Sequence, residues 1–163
     1  MILRLEGRPI LSGTGHEAGR ALLKEMVETY TGQPIPPLLT TPMGKPYFLN
    51  HPIHFSITHT RRHVFCVLSD RPVGIDAEEE DRTVSPRLAE KILSPREWEQ
   101  YQKAADSDTA LLTFWVLKEA RAKCTGEGIC GYPKHTDFSL QDPRIFRKNG
   151  CILAVIEEAP HAV

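Results

Sequence analysis

The chain has 163 residues, and its 20 Lys and Arg against 21 Asp and Glu give a formal net charge of -1. This near balance argues against a protein that coats nucleic acid, because such proteins carry a clear basic excess. Apolar residues make up 40% of the chain, enough to bury a core; since no apolar run approaches the ~18 residues that cross a bilayer and no secretory signal is seen at the N-terminus, we expect a cytoplasmic protein without a membrane partner.

The first half of the chain predicts a strand, a helix, a connector and a hairpin. Residues 1–6 resemble a short strand, and apolar side chains recur at helical spacing over 16–30 until Gly32 ends the helix. Prolines crowd residues 34–46 and predict an extended connector inside one domain. Residues 53–69 form two apolar runs around a Thr-Arg-Arg turn, which indicates a β-hairpin.

The second half opens with a strand that carries acids. Apolar and polar residues alternate over 73–78, so the apolar side chains enter a core while the acids share the other face. Helices should follow at Ser85-Pro86 and Ser94-Pro95, since Ser is a good N-cap, Pro suits the first helical position, and Glu97 completes a capping box with Ser94.

A longer helix and two weaker strands complete the chain. Asp108 is predicted to cap a helix that continues to about Lys123 and is closed by Gly126. The first half of this helix is almost entirely apolar, which indicates burial. Weaker strands are predicted over 136–141 and 151–157, and the whole order of elements favours an α+β fold.

Four cysteines occur without a C-x-x-C pair, in or beside apolar segments. This pattern favours reduced, partly buried thiols over a disulfide framework. The four are Cys66, Cys124, Cys130 and Cys151.

Asp76 and Glu78 are the first candidates for chemistry. Residues i and i+2 of a strand lie roughly 6.5 Å apart on one face, so both carboxylates can turn toward one cation. Glu79, Glu80 and Asp81 follow directly and could assist. The alternative is a solvated strand face, the usual meaning of an acidic run.

Glu119 is the second candidate, because it follows the most apolar part of the long helix and shares a stripe with Trp115 and Lys123. An ordinary i,i+4 Glu-Lys pair is the alternative, although the helix dipole disfavours an acid in this half. If Glu119 converges on Asp76 and Glu78, their mutual repulsion requires a proton or a cation. All-oxygen ligands favour Mg²⁺ or Mn²⁺, with positions left open for a substrate diphosphate.

A third group could meet phosphate oxygens. Thr58 and His59 end a strand, and Lys45 lies on a Gly/Pro turn that can project its ammonium into a cleft. A surface turn and a structural histidine are equally good interpretations of each feature alone. Zinc is a further alternative, since His54, His59, His63 and Cys66 share one hairpin, but strand alternation sends His54 and His59 to opposite faces.

Together these segments resemble, in their order, the 4′-phosphopantetheinyl transferases of the surfactin-synthetase-activating type. Each motif is short, but the ordered set runs from about residue 16 to 157. His16-Glu17-Ala18-Gly19-Arg20 also looks like the start of that family's first helix. The segments that carry the resemblance are Gly44-Lys45-Pro46, Phe55 to Thr60, Val73 to Glu78, and Trp115 to Lys123.

The resemblance implies transfer of the phosphopantetheine arm of coenzyme A to a serine of an apo acyl or peptidyl carrier protein, with release of adenosine 3′,5′-bisphosphate. It also implies two similar α+β halves, roughly 1–72 and 73–163, related by a pseudo-twofold within a single unit over 1–163, and a monomer with coenzyme A between the halves.

The resemblance assigns roles to individual residues as well. The metal ligands fall on Asp76, Glu78 and Glu119, and the catalytic group on Glu119, Lys123 and Asp76. Lys123 would contact the diphosphate, and Thr58 stands where the family has a serine. The remaining coenzyme contacts would be Arg20 and His59 at the 3′-phosphate and Lys45 beside the adenine nucleotide.

The N-terminal segment departs from this pattern. Only 15 residues precede His16, so we expect the basic residues that the family places upstream to be missing or replaced by Arg4 or Arg8. Arg61 and Arg62, on the hairpin turn, could meet an acidic carrier helix.

Two other functions fit the same acids. One is a metal-dependent phosphodiesterase or nuclease, which the charge balance disfavours. The other is a non-catalytic module that binds coenzyme A or a carrier protein, and the intact set of acids counts against it.

Overall fold

The computed structural model describes residues 1–128 and 133–159. The strands are β1 (Ile2–Pro9), β2 (Leu38–Thr40), β3 (Pro46–Phe48), β4 (His54–His59), β5 (His63–Ser69), β6 (Val73–Glu79), β7 (Ile145–Lys148) and β8 (Cys151–Glu157). The helices are α1 (Gly15–Thr31), α2 (Pro86–Ile92), α3 (Pro95–Lys103) and α4 (Ser107–Thr125), with a 3₁₀ turn at Pro133–His135. None of the helices in the described ranges is long and apolar enough to cross a membrane.

The first layer is an antiparallel sheet in the order β1-β5-β4, covered by α1. Thr14 caps α1 through a capping box with Glu17, and Gly32 ends it in the left-handed conformation, which glycine adopts without a steric penalty. The apolar face of the helix enters a core with the sheet; its buried members are Leu22, Leu23, Met26 and Val27.

The second layer is an antiparallel sheet in the order β6-β8-β7, covered by α4. Gly74 lets the helix approach β6 very closely, since a Cβ there would lie 1.9 Å from the carbonyl oxygen of Ala120. No larger residue fits this position unless α4 moves. Gly74 therefore fixes where Glu119 and Lys123 lie relative to β6.

The two sheets meet through β4, β5 and β6. Phe65 and Val67 of β5 share a buried cluster with Val73 and Ile75 of β6, and the Ile75 N–H donates to the Ser56 hydroxyl at 3.1 Å. Each sheet places the last of its strands in the centre, between the first strand and the one before last. The chain is thus a mixture of helices and antiparallel sheets, and a pseudo-twofold relation between its halves stays a prediction.

Most elements lie where the sequence predicts them, but three details are wrong. The N-cap of α4 is Asp106, which accepts from the Thr109 N–H and hydroxyl, rather than Asp108. The proline-rich connector contains the hairpin β2–β3. No strand forms over 136–141, because side chains of α3 take the N–H groups there: Glu97 binds that of Phe138 at 2.8 Å.

The cysteines within the described ranges are reduced and buried, as predicted. They are Cys66, Cys124 and Cys151. The same prediction for Cys130 lies outside the described residues.

Candidate functional site

Asp76 lies at the centre of the candidate site, on the face of β6 that meets α4. Its side chain is almost completely buried. Oδ1 accepts hydrogen bonds from Lys123 Nζ at 2.8 Å and from the Thr58 hydroxyl at 3.1 Å. Burial raises the pKa of this carboxyl, and the charge and hydrogen bond of Lys123 offset part of that rise. The structure therefore brings together three predicted residues from β4, β6 and α4.

Glu119 lies one helical turn before Lys123 and faces a cleft. Burial raises its pKa to about 7, and the negative charges of Asp76 and Glu78 add to the effect, while Lys123 opposes it. Among the described residues, its carboxylate has neither a hydrogen-bond donor nor an ion-pair partner. Such a group is poised to exchange a proton near neutral pH.

Glu78 shares the α4-facing side of β6 but is held differently. Its Oε1 accepts from the Trp115 indole N–H at 3.1 Å and pairs with Arg82 at 2.5 Å. Across the parts of the chain that the structure describes, the ligand atoms of Asp76, Glu78 and Glu119 do not all gather within 4.8 Å of one another. The three acids are electrostatic neighbours, and their role as a common metal site stays a prediction.

The cleft beside Glu119 has a volume of about 240 Å³. Lys45 and its neighbours Gly44 and Pro46 form one wall, β4 contributes Phe55 to Ile57, and α4 contributes Glu119 and Lys123. Lys45 Nζ donates to the carbonyl oxygen of Cys124 at 2.5 Å, near the end of α4. Burial lowers the pKa of Lys45. Lys45 thus lines the cleft while its ammonium binds the end of α4, and its predicted contact with a nucleotide stays a prediction.

His59 and Arg20 lie on the side of α1. The His59 ring covers the first turn of that helix, since a Cβ on Gly15 would lie 2.3 Å from His59 Nδ1. His59 lines a second cleft, of about 610 Å³, together with Glu78 and Arg62. One guanidinium nitrogen of Arg20 is buried without a hydrogen-bond partner. A buried unpaired donor is costly, and an anionic ligand would satisfy it.

Glu79 points away from α4 and has a role that the sequence did not predict. It accepts from the Thr60 hydroxyl at 2.5 Å, from Arg62 at 2.9 Å and from His63 Nδ1 at 3.2 Å. Burial alone would raise its pKa, but these hydrogen bonds outweigh burial and lower the pKa to about 2. The β4–β5 turn is thereby tied to the end of β6.

This clamp changes the interpretation of Arg62. Its guanidinium also binds both carboxylate oxygens of Asp81, at 2.8 and 2.9 Å. Arg62, which the sequence predicted to contact an acidic helix of a carrier protein, therefore already pairs with Glu79 and Asp81 of its own chain. The sequence did contain a signal for this contact, because the alternation of β6 places Glu78 and Glu79 on opposite faces of the strand.

The described residues do not form the zinc site that the sequence suggested as an alternative, with ligands from His54, His59, His63 and Cys66. His54 and His59 lie on the exposed ends of β4, and no metal-like group among the described residues combines them with Cys66. Within those ranges the one set of at least three ligand-type side chains whose atoms gather within 4.8 Å is His63, Glu79 and Cys151.

Comparison with known proteins supports the family that the motifs resemble. The family model of the 4′-phosphopantetheinyl transferase superfamily matches residues 72–155, slightly more than half of the chain. The chain is 33% identical over 88 residues to the 4′-phosphopantetheinyl transferase gsp of Aneurinibacillus migulanus, which covers 53% of this chain and 36% of the relative. It is 30% identical over 116 residues to psf-1 of Bacillus pumilus, with 68% and 49% covered.

A third relative is HetI of Nostoc sp., 30% identical over 124 residues, with 69% of this chain and 52% of the relative covered. The aligned parts thus span about half the length of these curated relatives or less. The matched range 72–155 contains β6 and α4, the two elements that carry Asp76, Glu78, Glu119 and Lys123. The chain belongs to the 4′-phosphopantetheinyl transferase superfamily.

Proposed function

We propose that this protein transfers the 4′-phosphopantetheine arm of coenzyme A to a serine of an apo acyl or peptidyl carrier protein, as a member of the surfactin-synthetase-activating type. The observation that carries the proposal is that Glu119, whose pKa is raised to about 7, lines one cleft together with the cationic residues Lys123 and Lys45. The family match over β6 and α4 supports it, since these two elements supply the acids.

Coenzyme A is a polyanion, and the site offers cations for it. Lys123 lines the cleft, and its ammonium binds Asp76. When a cation binds Asp76 in its place, Lys123 can donate to a diphosphate. Lys45 stands across the cleft and suits the adenine nucleotide. Arg20 and His59 suit the 3′-phosphate, because the unpaired guanidinium nitrogen of Arg20 lacks the acceptor that a phosphate oxygen provides.

Asp76, Glu78 and Glu119 would hold Mg²⁺, with Mn²⁺ as a substitute. The donor set fits, since all the ligand atoms are carboxylate oxygens. Burial raises the pKa values of Asp76 and Glu119, and a dication relieves the repulsion that contributes to both. When bound, the ion supplies positive charge that offsets the charge gained by the leaving bisphosphate.

Glu119 accepts a proton from the carrier serine in this scheme. The serine oxygen forms a bond to the phosphorus that bears pantetheine, and the bond from that phosphorus to the bridging oxygen of adenosine 3′,5′-bisphosphate breaks. The pKa of about 7 holds for the carboxyl without an ion and suits a general base at neutral pH. An ion bound to Glu119 would lower this pKa, so direct proton acceptance requires a Glu119 carboxylate that is not bound to the ion at that moment. Lys123 donates to the diphosphate oxygens and stabilises the leaving group.

Mass spectrometry of a carrier protein tests the proposal. Incubation of the protein with coenzyme A, Mg²⁺ and apo carriers from fatty-acid, polyketide and peptide synthesis should add the mass of one phosphopantetheine arm. Glu119→Gln should abolish the gain, while Glu99→Gln, on the exposed face of α3, should retain it.

Two outcomes contradict the proposal. No mass gain on any carrier, with coenzyme A still bound, would favour the non-catalytic binding module. Hydrolysis of DNA or RNA that depends on the same acids would favour the phosphodiesterase.

A further inference from the structure

The cluster of His63, Glu79 and Cys151 combines a nitrogen, an oxygen and a sulfur ligand on the face of β6 opposite the candidate active site. The residues come from β5, β6 and β8, and their ligand atoms all lie within 4.8 Å of one another. Cys151 is fully buried, and the His63 and Glu79 side chains are 18% and 8% exposed. The three side chains therefore lie together at the edge of the buried core and not on the exposed surface.

Two of the three spacings between the ligand atoms match those around a tetrahedral ion. Zinc bonds of about 2.05 Å to nitrogen, 2.0 Å to oxygen and 2.3 Å to sulfur place nitrogen and oxygen about 3.3 Å apart, and nitrogen and sulfur about 3.6 Å apart. The corresponding distances from His63 Nδ1 are 3.2 Å to Glu79 Oε1 and 3.7 Å to Cys151 Sγ. His63 thus lies at suitable distances from both of the other ligands, and the third pair, Glu79 and Cys151, has ligand atoms within 4.8 Å of each other.

The same geometry argues against a nucleophilic cysteine. In a Cys-His-acid triad the thiol and the acid bind different nitrogens of the imidazole. Here both Glu79 and Cys151 approach His63 Nδ1, so the histidine cannot relay a proton from one to the other. Burial also raises the pKa of the Cys151 thiol to about 12, which leaves it protonated and unreactive in the absence of a metal.

The charges around the cluster suit a divalent ion. One thiolate and one carboxylate balance two positive charges, so the occupied site is neutral, as a buried site requires. One guanidinium nitrogen of Arg62 contacts both carboxylate oxygens of Asp81 as well as Glu79, so Asp81 balances the charge of Arg62 when Glu79 binds an ion. Arg62 on Glu79 Oε2 and the Thr60 hydroxyl on Oε1 also supply the outer hydrogen bonds that orient a ligating carboxylate.

We propose that His63, Glu79 and Cys151 form a zinc-binding site that links the first sheet to the second. The Cys151 thiol releases its proton to solvent as sulfur bonds to Zn²⁺. Neutral His63 binds through Nδ1 as the tautomer whose proton lies on Nε2, so the hydrogen bond from Nδ1 to Glu79 is replaced, and Glu79 binds through Oε1. Water takes the fourth position, entering from the 610 Å³ cleft that Thr60 and Glu79 line. The site is independent of the proposed transferase reaction, since it uses none of its acids.

Cobalt is the probe for this site, because thiolate-bound tetrahedral Co²⁺ has a charge-transfer band and strong visible bands. Chelator-treated full-length protein should bind one Co²⁺ with both features, and Zn²⁺ should displace it while excess Mg²⁺ should not. Zn²⁺ should raise the Tm by about 5 to 10 °C at about 100 times its Kd.

Variants assign the ligands. Cys151→Ser should abolish the charge-transfer band, and His63→Gln should weaken Co²⁺ binding beyond the 10–100-fold typical of an outer-shell partner, about 100-fold or more. Cys66→Ser, which removes a buried thiol of β5 outside the cluster, should retain the band, as should Cys130→Ser.

Three results would overturn the proposal. The first is wild-type protein without a thiolate band. The second is octahedral Co²⁺ alone, which would indicate oxygen sites. The third is a thiolate band that survives in Cys151→Ser, or Co²⁺ binding that is as tight in His63→Gln as in the wild type. Since His63 is partly exposed, His63→Gln remains informative if Cys151→Ser fails to fold.

Discussion

Replacing Glu119 by Gln tests the electrostatics of the candidate site without reference to any substrate. The pKa of this carboxyl rises from its ordinary value of 4.5 to about 7 in the folded protein, mainly through burial. Each pKa unit corresponds to about 1.36 kcal/mol, which sets a ceiling of about 3.4 kcal/mol on the cost of ionising Glu119 in the fold. The side chain is only partly buried, so solvent screening reduces the expected cost to about 1–2 kcal/mol.

The sign of the effect follows from the direction of the shift. Below pH 4.5 Glu119 is protonated in both states, and its contribution to stability is fully present. As the pH rises through 7, the folded protein must ionise a group that prefers to be neutral, so that contribution is lost. Glu119→Gln keeps the shape and stays neutral, and it should therefore stabilise the metal-free protein above pH 7 and have little effect near pH 4.5.

Urea denaturation with a chelator at pH 5 and pH 8.5 measures this difference. The gain in unfolding free energy from Glu119→Gln should be about 1–2 kcal/mol larger at pH 8.5 than at pH 5. Glu99→Gln, at an exposed position, should give the same small change at both values. A Glu119→Gln gain that does not grow with pH would refute the reasoning, since it would mean that the wild-type carboxyl ionises at its ordinary pKa.

Three further substitutions probe other parts of the structure. Lys118→Met leaves the fully buried Glu97 carboxylate without the ammonium that lies 2.8 Å away, so urea denaturation should show a loss of about 3–5 kcal/mol in unfolding free energy. Lys91→Met, at an exposed position, should lose under about 0.5 kcal/mol. Equal losses in the two variants would contradict the ion pair as the cause. Gly74→Ala should cost about 1–3 kcal/mol, because its Cβ collides with the backbone of α4, and transfer activity should fall with it; unchanged stability would mean that the helix shifts freely. Arg20→Gln should weaken coenzyme A about 10- to 100-fold in KM and leave 3′-dephospho-coenzyme A unaffected, whereas an equal loss on both ligands would remove Arg20 from the 3′-phosphate.

Helices and strands with a clear periodic pattern and a recognisable end were predicted correctly from the sequence. Helical spacing over 16–30 and the stop at Gly32 predicted α1, although the capping box of Thr14 and Glu17 that begins the helix was not recognised in the sequence. The alternation over 73–78 matches β6. The strands β2 and β3 have three residues each and include Pro46, too short for a period of two to be seen. The failed strand over 136–141 depends on Glu97 and Gln100, which bind its backbone from about 40 residues away.

The site shows the same division between local and distant information. The face shared by Asp76 and Glu78 follows from strand geometry, and the stripe of Glu119 and Lys123 follows from helical spacing. The hydrogen bond between Lys123 and Asp76 depends on the approach of α4 to β6, which no local pattern encodes. Likewise, nothing near Lys45 in the sequence indicates that its ammonium binds the end of α4.

The strand β6 explains how two unlike clusters come to lie so close together. Successive side chains of a strand point to opposite faces, so Glu78 meets Trp115 of α4 while Glu79 meets His63 of β5. Hydrogen bonds lower the pKa of Glu79 to about 2, whereas burial raises that of Asp76, three residues earlier. One short acidic segment thus supplies an anion to the contact between the sheets and a buried carboxyl with a raised pKa to the side that meets α4, because its two faces meet different neighbours.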